Sequence, residues 1–189
     1  MTIQRIAILL LLTFGQVQGA NAVFMDLQSG SLMGMVHASV GGTFADNHHV
    51  SAGVGYVPKL DNHEEMSMVS LRYRYQNPYQ FNFSVKDRDF GISPVNFGMA
   101  VLVGSHKDLF VELPDKYPSG YYNPTAIRLI FNYQSILHLS EKTEVYFDIS
   151  VLDVGLISYV REPEFFMDNY DYLGLEGITN WGFGMRHQF

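Results

Sequence analysis

The 189-residue chain has no cysteine, which excludes a disulfide framework, a thiol nucleophile and any thiolate metal site. Cations are scarce as well: 12 Lys and Arg stand against 19 Asp and Glu, for a net charge of −7. A partner that needs a basic footprint, nucleic acid above all, is thereby excluded. There are only 7 prolines, and three of them (Pro114, Pro118, Pro124) crowd into one stretch. Long apolar runs are also missing. The one sizeable run, Ile6 to Phe14, is about nine residues, where a helix across a bilayer needs about 20.

That run follows Arg5 and precedes Ala20-Asn21-Ala22, the order of a charged n-region, an apolar h-region and a small-x-small cleavage site. Residues 1–22 are therefore expected to be a signal peptide, with the fold starting at Val23. Arg5 is the one charge in that segment, so its removal takes the net charge from −7 to −8. A secreted chain with no later helical span belongs in the periplasm, the outer membrane or outside. By length, 23–189 is one domain.

What the chain does have is aromatic residues and a period of two. Read backwards from the end, Phe189, His187, Met185, Phe183 and Trp181 share one register, and Gln188, Arg186, Gly184, Gly182 and Asn180 the other. In a strand these are opposite faces. One greasy and one polar face is the pattern of a strand with lipid on one side and a polar lumen on the other. Here the sequence resembles bacterial outer-membrane β-barrels, whose last strand ends in Phe with apolar or aromatic residues at alternate positions before it. His187 stands where an aromatic residue is usual. The resemblance implies a Gram-negative outer-membrane location, a role for Phe189 in the signal read by the barrel-assembly machinery, and contact with outer-membrane lipid and lipopolysaccharide. No cofactor is expected.

Eight strand-like segments follow Val23. They are Ser31 to Gly42, His48 to Val57, Val69 to Gln76, Phe81 to Lys86, Val95 to Gly104, Ile127 to Gln134, a strand beginning at Thr143, and Tyr172 to Phe189. The clearest alternates Val69, Leu71, Tyr73 and Tyr75 with Ser70, Arg72, Arg74 and Gln76. Asn77-Pro78 reads as the tight turn of a hairpin leading into Phe81. Beyond Val151 the phase slips, through either a bulge or a turn. Eight strands of about ten residues fit an all-β fold, a single eight-stranded antiparallel up-and-down transmembrane β-barrel. With both termini in the periplasm, the large segments 105–124 and 161–171 lie outside, and so does the turn at Asp46. An aromatic girdle at the membrane surface is expected from the high Tyr and Phe content. The rival is a soluble periplasmic lipocalin-like binder of an apolar ligand, with the same apolar faces turned inward.

In the membrane barrel the polar faces carry Arg72, Arg74, Arg128 and Arg186 as cations and Glu144, Asp148 and Glu176 as acids. Charges in a low-dielectric tube must be paired, and eight strands enclose little more than side chains. A packed ionic plug with no open pore is expected. Catalytic candidates are weak. His37-Ala-Ser39 sets an imidazole and a hydroxyl on one strand face and has a three-residue likeness to the lipid A 3-O-deacylases. That would make the chain a lipid A-modifying hydrolase, but no acidic partner is evident, and the pair is assigned to the lumen. No metal site is expected: Asp46, His48 and His49 are placed at the end opposite Asp61, His63 and Glu64. Tyr117, Tyr121 and Tyr122, among Ser, Gly and Pro in an outer segment, are low-entropy contact residues suited to binding a surface ligand.

Overall fold

A computed structural model describes residues 22–59, 65–104 and 127–189. The expected signal peptide, apart from Ala22, and Tyr117, Tyr121 and Tyr122 lie outside them, as do Asp61, His63 and Glu64. The strands are β1 (Ala22–Gly30), β2 (Val36–Phe44), β3 (His48–Val57), β4 (Met66–Tyr75), β5 (Phe81–Val85), β6 (Arg88–Gly104), β7 (Ile127–His138), β8 (Thr143–Leu152) and β9 (Thr179–Gln188). Every pairing is antiparallel, in the order β4-β3-β2-β1-β9-β8-β7-β6, and β4 pairs with β6 to close the ring. The result is a closed eight-stranded barrel with next-neighbour connections and no free edge among those eight strands. Following the register once round from Ile92 leads back to Val103 on the same strand. Strands staggered in this way tilt against the barrel axis.

The count of eight holds, but two members differ from the sequence reading. β1 is a barrel strand that the sequence reading left out. Phe24 breaks its alternation, so Val23-Phe24-Met25 reads as a continuous apolar run. β5, in contrast, is no barrel strand, because it pairs only with β6. The chain does not reverse at Asn77-Pro78. β4 and β5 both run antiparallel to β6, as two halves of one interrupted strand opposite a register shift between Ser93 and Asn96. Proline cannot donate to a ladder, so the pairing lapses there without turning back. The reversal comes at Lys86, whose φ of +53° lies in the left-handed region that a tight hairpin needs.

These two differences cancel for everything after β5. The connection leaving Gly104 and the segment between β8 and β9 depart from the end opposite the termini, as expected. Before β5 they do not cancel, and the turn at Ala45–Asn47 lies at the end that holds the termini. Asp46, His48 and His49 are therefore at the end that holds the termini, opposite to the end expected for them. The eighth strand is also shorter than read. Four short helices fill the span from β8 to β9: α1 (Asp153–Arg161), α2 (Pro163–Asp168), α3 (Tyr170–Leu173) and α4 (Leu175–Ile178). The slip beyond Val151 is thus a change of period from strand to helix, neither bulge nor simple turn. The segment 161–171 is mostly helical, with Phe165 and Leu173 buried beneath it.

Side-chain placement is inside out relative to a soluble barrel. Along β4, Leu71 is 56% exposed and Tyr73 37%, while Arg72 is 2% and Arg74 1%. Met25, Leu27, Val54, Tyr56, Phe97, Met99, Val101, Phe131, Trp181, Phe183 and Met185 also face outward. A lipocalin-like barrel would turn these apolar faces inward; here they point outward, the reverse of that expectation. At the end away from the termini the lumen turns apolar, filled by Met33, Met68, Ala100, Leu102 and Ile130. Val101-Leu102-Val103 and Leu129-Ile130-Phe131 carry the sequence trace of this layer, since apolar runs without alternation mark a strand buried on both faces.

Candidate functional site

The chemistry collects inside the barrel, and its hub is Asp26 on β1. Period-two alternation turns Phe24, Asp26 and Gln28 inward and Val23, Met25 and Leu27 outward. Asp26 is fully buried. Arg186 donates to its Oδ2 from Nη2 at 3.1 Å and Nε at 3.2 Å. Tyr146 donates its hydroxyl to Oδ1 at 2.7 Å, and Arg72 lies at 3.9 Å. Arg72 also donates to Gln28. Toward the end that holds the termini, Glu144 takes up Arg74 at 2.6 Å and Arg186 at 3.4 Å, with His138 at 3.7 Å. Three guanidiniums thus share two carboxylates, which is what lets charges persist in so little space. Arg72 and Arg74, two residues apart on one face, are separated by these acids: Asp26 is beside the first and Glu144 beside the second.

Asp148 is inside as well, but no cation among the described residues is within salt-bridge reach of it. Its carboxylate accepts from Ser31, Ser150, Asn132 and Gln134, so neutral donors hold it in place of the arginines expected. Arg128 is buried at the other end and donates to the carbonyl of Ile127 at 3.1 Å. Glu176 is not in the lumen. It is exposed on α4, because the span read as the start of the last strand is helical. The sequence reading thus lacked Asp26 and Tyr146 and wrongly included Glu176. Recognising Val23, Met25 and Leu27 as one outward face would have found Asp26.

Small residues make room for the large ones. A Cβ at Gly41 would strike the Phe24 ring and the Val50 carbonyl, and one at Gly184 would strike the Tyr146 ring. Glycine at these two positions lets both rings enter the lumen. Phe24 then stacks under Arg186, with the guanidinium carbon 4.1 Å from the ring centroid, a cation–π contact that tolerates the desolvated charge.

His37 and Ser39 face this interior, at 0% and 4% exposure. They do not form a dyad. His37 Nε2 lies 2.8 Å from the Ser70 hydroxyl on β4, and neither Ser39 Oγ nor His37 Nδ1 has a hydrogen-bond partner. Among the described residues no carboxylate hydrogen-bonds to the imidazole, so the spacing of His37 and Ser39 does not translate into a nucleophile–base pair. A buried hydroxyl without a partner bears an unrecovered desolvation cost. Ser39→Ala is therefore expected to leave stability unchanged or raise it by up to about 1 kcal/mol, as measured by urea unfolding. A loss above that size would show that Ser39 does bond in the folded barrel. His48 faces outward, within hydrogen-bond distance of Tyr73 at 2.7 Å, while His49 faces inward to Thr43 at 3.0 Å. Neighbouring residues on a strand cannot converge on one ion, and no group of three metal-binding side chains occurs among the described residues.

A closed antiparallel barrel with a charge-filled interior and an apolar exterior is the class of protein that these features define. No protein-family model and no curated protein matches the chain. Among solved structures, it is similar to the crystal structure of the N-terminal beta-barrel domain of Pseudomonas aeruginosa OprF. The likeness spans 91% of this chain and 100% of that one, at 13% identity and a TM-score of 0.44. The fold assignment above rests on the strand pairing alone.

Proposed function

We propose that the chain is a small outer-membrane β-barrel of structural role, filled with side chains, whose far end meets a surface ligand through the segments 105–124 and 161–171. The observation that carries this reading is the alternation on β4, where Leu71 and Tyr73 face out while Arg72 and Arg74 are buried. An apolar exterior around buried guanidiniums fits a barrel whose exterior solvent is lipid. Trp181, Phe183, Tyr56 and Phe97 supply exposed aromatic rings for a girdle at the headgroups. Among the described residues the lumen is filled by ion pairs and by the apolar layer about Met33, which supports a structural role over conduction. Phe189, whose amide donates to the Val23 carbonyl at 2.9 Å, closes the sheet at the end where the assembly machinery would read it. Lipopolysaccharide is the lipid that the far-end segments would meet.

The folded protein is expected to co-fractionate with outer membranes. It is expected to migrate as a compact band in detergent gels unless boiled, because a closed hydrogen-bonded barrel resists detergent until heated. Recovery in the soluble periplasmic fraction, with one band regardless of heating, would refute the reading.

A further inference from the structure

We propose that the two-stranded ribbon formed by β5 and the start of β6 is a lipid-contacting paddle, lying with one face on the phospholipid surface at the end of the barrel that holds the termini. This rests on the membrane reading above. The partner is set by chemistry and register. Phe81 pairs with Ile92, Phe83 with Phe90, and Val85 with Arg88, and cross-strand partners share a face. That face is apolar with one cation. Phe83 stacks on Phe90 with centroids 5.7 Å apart, and Phe81, Phe83 and Val85 are 68%, 41% and 51% exposed. The other face carries Asn82 and Ser84, and Ser84 donates to Asp89 at 2.6 Å. The ribbon is therefore amphipathic across its thickness, with the acid on one side and Arg88 on the other.

Register decides which way the apolar face points. Ile92 pairs with Leu137 on β7, Leu137 with Val145 on β8, and Val145 with Met185 on β9. All four lie on the outward face of the barrel, so Phe81, Phe83 and Phe90 continue that wall past the point where β4 leaves β6 at Tyr75 and Phe97. An apolar wall that continues the lipid-facing surface, with Arg88 at its tip, fits anionic phospholipid headgroups: rings at the acyl boundary and a guanidinium among phosphates. A water-exposed ribbon would have no use for three phenylalanines on one side.

The absence of cysteine makes the test direct. Single-cysteine variants F83C and S84C on the two ribbon faces, and M99C on the barrel wall, would each carry an environment-sensitive fluorophore and be folded into phosphatidylethanolamine–phosphatidylglycerol vesicles. Folding would be checked by the heat-dependent gel shift, and F81C would replace F83C should that variant not fold. We expect the F83C and M99C labels to emit to the blue of the S84C label and to be several-fold less quenched by aqueous iodide. If F83C is quenched like S84C while M99C is protected, the ribbon stands in water; the proposal fails and the barrel reading survives. Protection of both ribbon labels also overturns it, since only one face is assigned to lipid. If all three are quenched, the barrel is not in the bilayer and both readings fail.

Discussion

Asp26→Ala is expected to cost about 3–5 kcal/mol of folding stability, the penalty for leaving a buried charge without its partner. The carboxylate is fully buried and holds Arg186 through two donors, and it accepts the Tyr146 hydroxyl. Without it, Arg186 keeps Glu144 at 3.4 Å, but Glu144 is already engaged by Arg74 at 2.6 Å. Arg72 loses its nearest acid and retains Gln28 and Tyr146. Three guanidiniums would then share one carboxylate. Asp26→Asn should fall between, because it keeps an acceptor while losing the charge. Glu176→Ala, on the exposed surface of α4, should lie within about 0.5 kcal/mol of the parent. Urea titration of the barrel folded in vesicles makes the comparison. An Asp26→Ala loss no larger than that of Glu176→Ala would mean that the interior does not depend on this hub.

Val101→Arg should destabilise the vesicle-folded barrel by about 2–4 kcal/mol if the site is near the midplane. Val101 is 40% exposed and faces outward from β6, between Leu71 on β4 and Leu129 on β7. In lipid, an arginine there has no water and no acid within reach, and it must snorkel or thin the bilayer. In water the same arginine on an exposed strand face would be tolerated. The substitution therefore reads the solvent directly. Glu141→Arg, in the exposed turn between β7 and β8, is the control and should be close to neutral. Equal tolerance at both positions would show that this face does not meet hydrocarbon.

Outward-facing and lumen-facing sets were legible from β2 onward wherever alternation is unbroken, because side-chain direction in a strand follows from the period of two alone. Arg72, Arg74, Arg128, Asp148 and Arg186 were placed inside on that ground. Where alternation fails, the period carries no direction. Phe24 hid β1 and with it Asp26, and the run Leu129-Ile130-Phe131 marks the apolar layer at one end of the lumen only by its lack of alternation.

Partnership is a different kind of information. Arg72 and Asp26 are 46 residues apart in the sequence, and Arg186 and Asp26 160; the pairing of β1 with β9 sets Arg186 opposite Asp26, and the curvature of the closed ring brings Arg72 to the same carboxylate. The register of β7 against β8 sets Asp148 among the amides of Gln134 and Asn132 and the hydroxyl of Ser150. The pairing of both β4 and β5 with β6 made β5 a continuation of β4, since only that shared partner shows that the chain did not turn at Pro78. Which face of each strand is polar was written locally, in the alternation of neighbours. Which charges meet depended on register around a closed ring, a long-range property that no local pattern encodes.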